Sequence, residues 1–210
     1  MAVRCDAVCV LEALTGAGLA TSAGLNTYIP LLALGLLARY TDLVGLPTGW
    51  SWLENGWVML ILAVLLAVEV VADKVPVLDS ANDVVQTVVR PTAGGLAFGA
   101  GASSETVTDP GSFFASNAWV PVAVGVVLAL AVHGIKALAR PAINATTAGF
   151  GAPVASTAED VFSAVMSVVA IVLPALILLF LVGLVLAAVW VVRRRGRASG
   201  ASPSPPAFRR

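Results

Sequence analysis

Long apolar runs alternate with short polar or small-residue segments along the chain. The longest runs occupy residues 10–40, 57–74, 118–138 and 161–192. Because about 20 apolar residues span the hydrocarbon core of a bilayer, these runs predict membrane-crossing helices. Gly24, Asn26 and Pro30 interrupt the first run, so a broken or kinked helix is expected there.

Two further segments, residues 91–103 and 141–156, consist mainly of Gly, Ala and other small residues, which allow buried helices to pack closely. A helix capped by Asp79 or Ser80 and ending at Arg90 is expected before the first of them. If both segments cross, the chain has about six hydrophobic segments, but either could be short, broken or re-entrant. Short internal similarities suggest an inverted repeat, although they do not agree on one register.

Composition excludes an ordinary soluble domain. The chain is 59% hydrophobic and 11% charged, with a mean hydropathy of +0.94, whereas soluble domains carry about 25% charged residues. A net charge of zero argues against a nucleic-acid partner and leaves membrane lipids as the expected one. We predict an all-α, polytopic helical membrane protein with one transmembrane domain over residues 1–192. Residues 193–210 form a basic, Ser/Pro-rich tail that is expected to be disordered.

The cations support a topology. Six crossings with both termini in the cytoplasm place every Lys and Arg except Arg39 on the cytoplasmic side, the asymmetry that the positive-inside rule describes. The cytoplasmic set is Arg4, Lys74, Arg90, Lys136, Arg140 and the arginines of the tail. If one small-residue segment fails to cross, the two termini lie on opposite sides.

Ionisable residues near the crossings fall on helical stripes. Glu69 and Asp73 share one face of their helix and Lys74 follows them. The next helix carries Asp79, Asp83, Gln86 and Arg90 at i, i+4, i+7 and i+11. A third stripe, on the 118–138 run and its extension, holds His133, Lys136 and Arg140. Since the stripe that begins at Asp79 is mainly acidic and the stripe that begins at His133 is wholly basic, we expect these two to face each other in an ion-paired network.

This network has two interpretations. It could lock the helices together, or it could line a polar pathway or an anion-binding pocket, and intramembrane ionisable residues favour function. His133 could carry protons or simply pack. Asn26 and Tyr28 lie where the first helix breaks, so unwound backbone there could bind an ion or a polar substrate, or the break could be a plain kink.

Few residues suggest chemistry beyond this. Glu159 and Asp160 precede the last apolar run and are expected to stabilise the N-terminus of its helix. The motifs of hydrolases, metalloproteases, P-loops and dinucleotide sites are not found, so no catalytic residue, metal ligand or cofactor is assigned.

Several motifs resemble a bacterial membrane-protein family known as domain of unknown function 4126. The resemblance rests on the run from Glu69 to Ser80 with its Asp-Lys-x-Pro-x-x-Asp-Ser core, and on Gly24-Leu25-Asn26-Thr27-Tyr28. It continues through Asp83, Thr87, Arg90-Pro91-Thr92-Ala93-Gly94, His133, Lys136, Arg140, Asn144 and Glu159-Asp160, and so covers roughly residues 10 to 190. Gln86 stands where a family histidine is expected, which argues against proton transfer at that position. The resemblance implies a shared fold and no substrate.

Three functions remain. The first is a small transporter or channel-like protein, oligomeric and multi-pass in the bacterial inner membrane, with a cytoplasmic C-terminus. The second is a scaffold or assembly partner in a membrane complex. The third is a membrane enzyme acting on lipid, for which acids and His133 are available but no nucleophile motif is.

Overall fold

A computed structural model describes residues 2–46, 48–74, 76–102, 119–147 and 150–199. Within these ranges the chain forms α-helices, one 3-10 helix and no strand, which confirms the all-α prediction. The α-helices are α1 (Ala2–Leu25), α2 (Tyr28–Tyr40), α3 (Gly56–Ala72), α4 (Pro76–Gly101), α5 (Trp119–Thr147), α6 (Gly151–Val172) and α7 (Pro174–Ser199). The 3-10 helix is Thr48–Glu54. The polar loop 105–117 and the end of the tail lie outside the described residues.

The break in the first apolar run forms where it is expected. α1 ends at Leu25, and the Asn26 side-chain oxygen accepts hydrogen bonds from the backbone N–H groups of Tyr28 and Ile29, at 3.1 and 3.3 Å. These bonds satisfy donors that the first turn of a helix leaves open. Pro30 lies in that first turn, where its missing N–H costs no helical hydrogen bond.

α1 runs antiparallel to α4. Near its C-terminal end, the Gly24 carbonyl lies 3.4 Å from a guanidinium nitrogen of Arg90. Just past the middle of α1, Gly16 packs so closely on α4 that a Cβ there would lie 2.7 Å from the carbonyl oxygen of Phe98. The end of α1 therefore lies beside the middle of α4, at Arg90.

α2 runs antiparallel to α1. Just before α2, the Thr27 hydroxyl donates to Gln86 Oε1 of α4, at 2.6 Å. Further along α2, Gly35 packs against the backbone of Leu53 and lies near Met59, at the start of α3. The first apolar run is therefore two antiparallel helices rather than one broken crossing. The N-terminus of α1 and the α1–α2 break consequently lie at opposite ends of the bundle, which local hydropathy does not reveal.

Two prolines lie inside helices where the sequence suggests boundaries. Pro91 lies within α4 and Pro141 within α5, so residues 91–101 continue the helix that was expected to end at Arg90. Packing outweighs the lost hydrogen bonds, because Gly94 and Gly125 bring the backbones of α4 and α5 together so closely that neither position has room for a Cβ. α4 also begins at Pro76, earlier than the expected caps, because proline suits the first helical position.

The chain divides into two compact units, Met1–Ile177 and Leu178–Arg210. The first contains α1 to α6 and the start of α7, and the second continues α7. The longest apolar run is split at Leu173, where α6 has ended and Pro174 starts α7. The first half of the segment 141–156 ends α5 and the second half begins α6.

The first unit buries polar residues together with apolar ones such as Leu19 and Leu34, and it exposes many large apolar side chains. Its buried positions include Arg90, Asn26, Thr21 and Ser22, whereas branched and aromatic side chains cover the outer faces of α3, α5 and α6. By length and composition, α5 and α6 could each span a membrane, and α1 to α3 and α7 contain shorter apolar helices.

Candidate functional site

Charged side chains from four helices meet inside the first unit beside the α1–α2 break. We call this group the charge network: Glu69, Asp73, Arg90, His133, Lys136, Arg140 and Glu159. α3 ends in it, since Asp73 is the C-cap of that helix. α5 carries His133, Lys136 and Arg140 at helical spacings, whereas α4 and α6 carry one member each.

Arg90 is at the centre of the network and is fully buried. One terminal nitrogen, Nη2, lies 3.0 Å from Glu69 Oε1 and 3.9 Å from Asp73 Oδ2. The other, Nη1, lies 3.2 Å from His133 Nδ1 and 3.4 Å from the Gly24 carbonyl oxygen. One guanidinium therefore joins α1, α3, α4 and α5.

These contacts determine the state of His133. Arginine can only donate hydrogen bonds, so Nδ1 of His133 must accept from Arg90 and carries no proton. Its Nε2 then bears the hydrogen and donates to Thr87 Oγ1, at 3.2 Å. In this arrangement His133 is a neutral, hydrogen-bonded acceptor, because a proton on Nδ1 would point at the guanidinium.

Asp73 contacts more cations than either of the other two carboxylates of the charge network. Its Oδ2 lies 3.2 Å from Lys136 Nζ and 3.4 Å from Arg140 Nη2, in addition to the more distant Arg90. Its Oδ1 accepts from the amide of Asn82, at 2.8 Å. Both oxygens of this buried carboxylate are therefore satisfied.

Glu159 closes the network from α6, and the expectation that it stabilises the N-terminus of the last helix is wrong. It lies in the middle of α6, and its Oε2 accepts from Lys136 Nζ and Arg140 Nη2, each at 2.9 Å. The next residue, Asp160, accepts from the Asn26 amide at 2.9 Å. α6 begins at Gly151, earlier than hydropathy suggests, so both acids lie within the helix rather than at its N-terminus.

The broken helix supplies backbone acceptors to the network. The Leu25 carbonyl lies 3.3 Å from Lys136 Nζ, and the Gly24 carbonyl faces Arg90. The C-terminal end of a helix is its negative pole, so these cations are electrostatically favoured there. Asn26 is fully buried, and the Tyr28 side chain interacts with Gln86. The groups freed by the break are thus bound by the protein's own side chains.

Charges within the network balance. Three carboxylates, Glu69, Asp73 and Glu159, face three cations, Arg90, Lys136 and Arg140, if His133 is neutral. In the central pair, Glu69 Oε2 and Arg90 Nε are buried and have no hydrogen-bond partner among the described residues. The central ion pair is therefore held by one hydrogen bond rather than by the two-bond fork that arginine and a carboxylate can form.

Of the residues chosen from the sequence, the structure brings Glu69, Asp73, Arg90, His133, Lys136 and Arg140 together. Lys74, which follows the C-cap of α3, instead donates to the Val70 carbonyl of that helix, at 3.1 Å. The side chains of Asp79, Asp83 and Asn144 lie outside the described part of the chain. The sequence reading missed Asn82 and gave Glu159 and Asp160 a different role.

A second polar contact joins α1 to α6. Ser22 Oγ lies 2.7 Å from the hydroxyls of both Ser163 and Ser167 and 2.8 Å from the Ser163 carbonyl. Asp160, Ser163 and Ser167 recur at i, i+3 and i+7, a stripe that would have revealed the buried face of α6. We call Ser22, Ser163 and Ser167 the serine cluster.

An apolar groove of about 710 Å³ runs along the outer face of α6 and includes Pro153, Val154, Phe162 and Val165, but no member of the charge network. Among the described residues, no group of three or more His, Cys, Asp or Glu side chains could hold a metal ion.

Comparison with known proteins gives a family. The family model described as "Domain of unknown function (DUF4126)" matches residues 13–194. The chain belongs to this family. All members of the charge network and the serine cluster lie within the part of the chain that matches DUF4126. No curated protein and no solved structure matches the chain.

Proposed function

We propose that this DUF4126 protein is a multi-pass protein of the bacterial inner membrane, and that it acts as a small transporter or channel-like protein. The observation that carries the proposal is a buried charge network beside a helix break, inside a bundle with an apolar outer surface. We place lipid against that surface and the network at the gate of a polar pathway.

The outer surface supports the membrane part of the proposal. Trp57 on α3, Val127 on α5 and Val161 on α6 are exposed, together with most large apolar residues of these helices. Lipid tails can solvate such faces, whereas water would drive them to associate.

The network supports the transport part. A charged side chain at the bilayer centre costs about 2.5–3.5 kcal/mol on insertion scales, so such residues are retained mainly where they pair or function. Here they converge on the end of α1, where a helix break exposes backbone carbonyls, as at the ion and substrate sites of many transporters. From Asn26 and Asp160, the serine cluster extends the polar contact along α1 and α6. Dense ion pairing corresponds to a closed state of this pathway.

A flux screen in proteoliposomes tests the proposal. Ionic and small polar solutes are assayed with the wild type, with Asp73→Asn and Lys136→Ala, and with Asp42→Asn as a control in the exposed loop after α2. We expect one solute class to be transported and both network variants to change its rate, while the control does not. If every flux is unaffected in correctly assembled network variants, the transporter hypothesis is lost.

A scaffold or assembly role is the second candidate. It is favoured by the balanced charges and the near-complete burial of the network, which would fix helix positions in a homo-oligomer or a larger membrane complex. Under this alternative, Asp73→Asn changes the oligomer or complex seen by cross-linking in membranes and leaves flux at background. A lipid-acting enzyme is the third, and it requires lipid turnover that is lost in His133→Asn.

Topology is part of the same proposal. We place the network end of the bundle and the C-terminus in the cytoplasm, following the positive-inside rule. Because α1 ends at the charge network, its N-terminus then lies outside, contrary to the six-crossing scheme with two cytoplasmic termini. In a variant lacking Cys5 and Cys9, an impermeant maleimide should label Ala2→Cys from outside and Arg210→Cys only after the membrane is opened. The reverse labelling would contradict this orientation.

A further inference from the structure

We infer that Lys136 and Arg140 form an oxyanion-binding site that the Glu159 carboxylate occupies as an internal plug. Oε2 of Glu159 accepts from Lys136 Nζ and Arg140 Nη2, each at 2.9 Å. Two charge-assisted donors converging on one oxygen form the arrangement by which proteins hold a carboxylate or a phosphate. The inference rests on the proposed transport function and names the class of solute that the gate recognises.

Exposure within the network shows the direction of access. The Glu159 side chain is 20% exposed, while those of Lys136 and Arg140 are 2% and 5% exposed. The plug is therefore the outermost of the three groups, and a soluble anion reaches the two cations by displacing it. Asp73 lies on the inner side of the same cations and is only 2% exposed.

Charge explains why the displaced site would take an anion. With Glu159 in place, three carboxylates balance three cations in the network. When its carboxylate swings out, Lys136 and Arg140 share Asp73, and the network carries one net positive charge. Asp160, the neighbouring acid, is already bound to the Asn26 amide, and Lys74 lies near enough to act on it electrostatically. A monovalent oxyanion restores the balance.

Chemical rescue of a plug-deleted protein tests the inference. In purified Glu159→Ala, acetate or inorganic phosphate should raise the thermal unfolding midpoint above that in chloride at equal ionic strength. An increase of roughly 5–10 °C is expected at about 100 times Kd. The wild type and Glu12→Ala, which removes a carboxylate from α1, should show no difference among the three anions. Equal midpoints for Glu159→Ala in all three would overturn the inference.

A second variant keeps the inference testable if Glu159→Ala does not fold. Glu159→Gln preserves the size of the side chain and removes its charge, so it should bind inorganic phosphate in equilibrium dialysis. Glu159→Gln/Arg140→Gln should lose at least tenfold in this affinity, and equal binding by the two variants refutes the site. Repeating the Glu159→Gln measurement in nanodiscs separates the sources of the oxyanion. Phosphatidylglycerol that competes with soluble phosphate identifies a lipid headgroup, and no competition identifies a soluble anion.

These readouts separate this inference from the proposed transport. Anion binding without flux would leave the oxyanion site in place and remove the transporter. Flux of a solute that neither competes with phosphate nor responds to Glu159→Gln would retain the transporter and remove the oxyanion site.

Discussion

Replacing Arg90 with methionine removes the central cation of the network while retaining an unbranched side chain. In the wild type, Arg90 Nη2 is the donor to Glu69 Oε1, at 3.0 Å, and Oε2 has no partner among the described residues. The variant therefore leaves a carboxylate that is only 2% exposed without a cation within 4 Å in the described part of the chain. His133 also loses the donor to its Nδ1.

The expected magnitude follows from this burial. Breaking a buried ion pair by removing one partner costs about 3–5 kcal/mol, because the remaining charge is uncompensated. For a chain of this size, 1 kcal/mol shifts the unfolding midpoint by roughly 2–4 °C, so Arg90→Met should lower it by about 6–20 °C. Removing both charges in Glu69→Leu/Arg90→Met should recover about 1–3 kcal/mol relative to Arg90→Met alone.

Thermal unfolding in detergent at one scan rate measures these changes. Arg39→Met is the matched control, since Arg39 is exposed and donates to the Glu54 carbonyl at 2.7 Å, and its loss should cost under about 1 kcal/mol. If Arg90→Met shifts the midpoint no further than Arg39→Met, or if the two network substitutions are additive, the network is not an electrostatic unit.

Three further predictions concern packing, hydrogen bonding and protonation. Gly125→Ala should destabilise the protein by about 1–3 kcal/mol, because the added Cβ meets the backbone of α4. Gly134→Ala is the control, since that position on the same helix faces open space and should be neutral or stabilising. Equal unfolding midpoints of the two variants would contradict the close crossing of α4 and α5. Ser22→Ala should lower the free energy of unfolding by about 1–2 kcal/mol, because it removes the hydroxyl that joins the serine cluster. The exposed Thr157→Ala should lower it by under about 0.5 kcal/mol, and equal losses in the two variants would contradict the α1–α6 contact. His133 is the only histidine, so ¹⁵N NMR of the untagged protein should show one neutral ring with its hydrogen on Nε2, and a hydrogen on Nδ1 would exclude the Arg90 contact.

Local sequence determined which segments are helical and which of their faces carry charge. Apolar runs of membrane-spanning length need little context to form helices, and residues three or four positions apart must share a face. The stripes on α3, α4 and α5 follow directly from that spacing, as does the break at Asn26, where a side chain competes with the helix for backbone donors. The motifs between Glu69 and Ser80 also sufficed to suggest the family that the comparison confirms.

Tertiary structure decided how these segments meet. Hydropathy has the same value whether a helix continues or folds back, so the reversal between α1 and α2 depends on the packing of Gly16 on Phe98 and of Gly35 on Leu53. Pro91 stays within a helix because the nearby Gly94 packs closely on Gly125 of α5, and this packing outweighs the local preference of proline for a helix end.

The role of Glu159 was likewise decided by tertiary contacts. Its position along the chain suggests a helix end, but its partners, Lys136 and Arg140, lie on another helix and are brought to it by packing around α1. Local spacing places charges on faces within one helix. Which faces oppose each other depends on contacts between residues far apart in the chain, and a single sequence does not encode these in any local pattern.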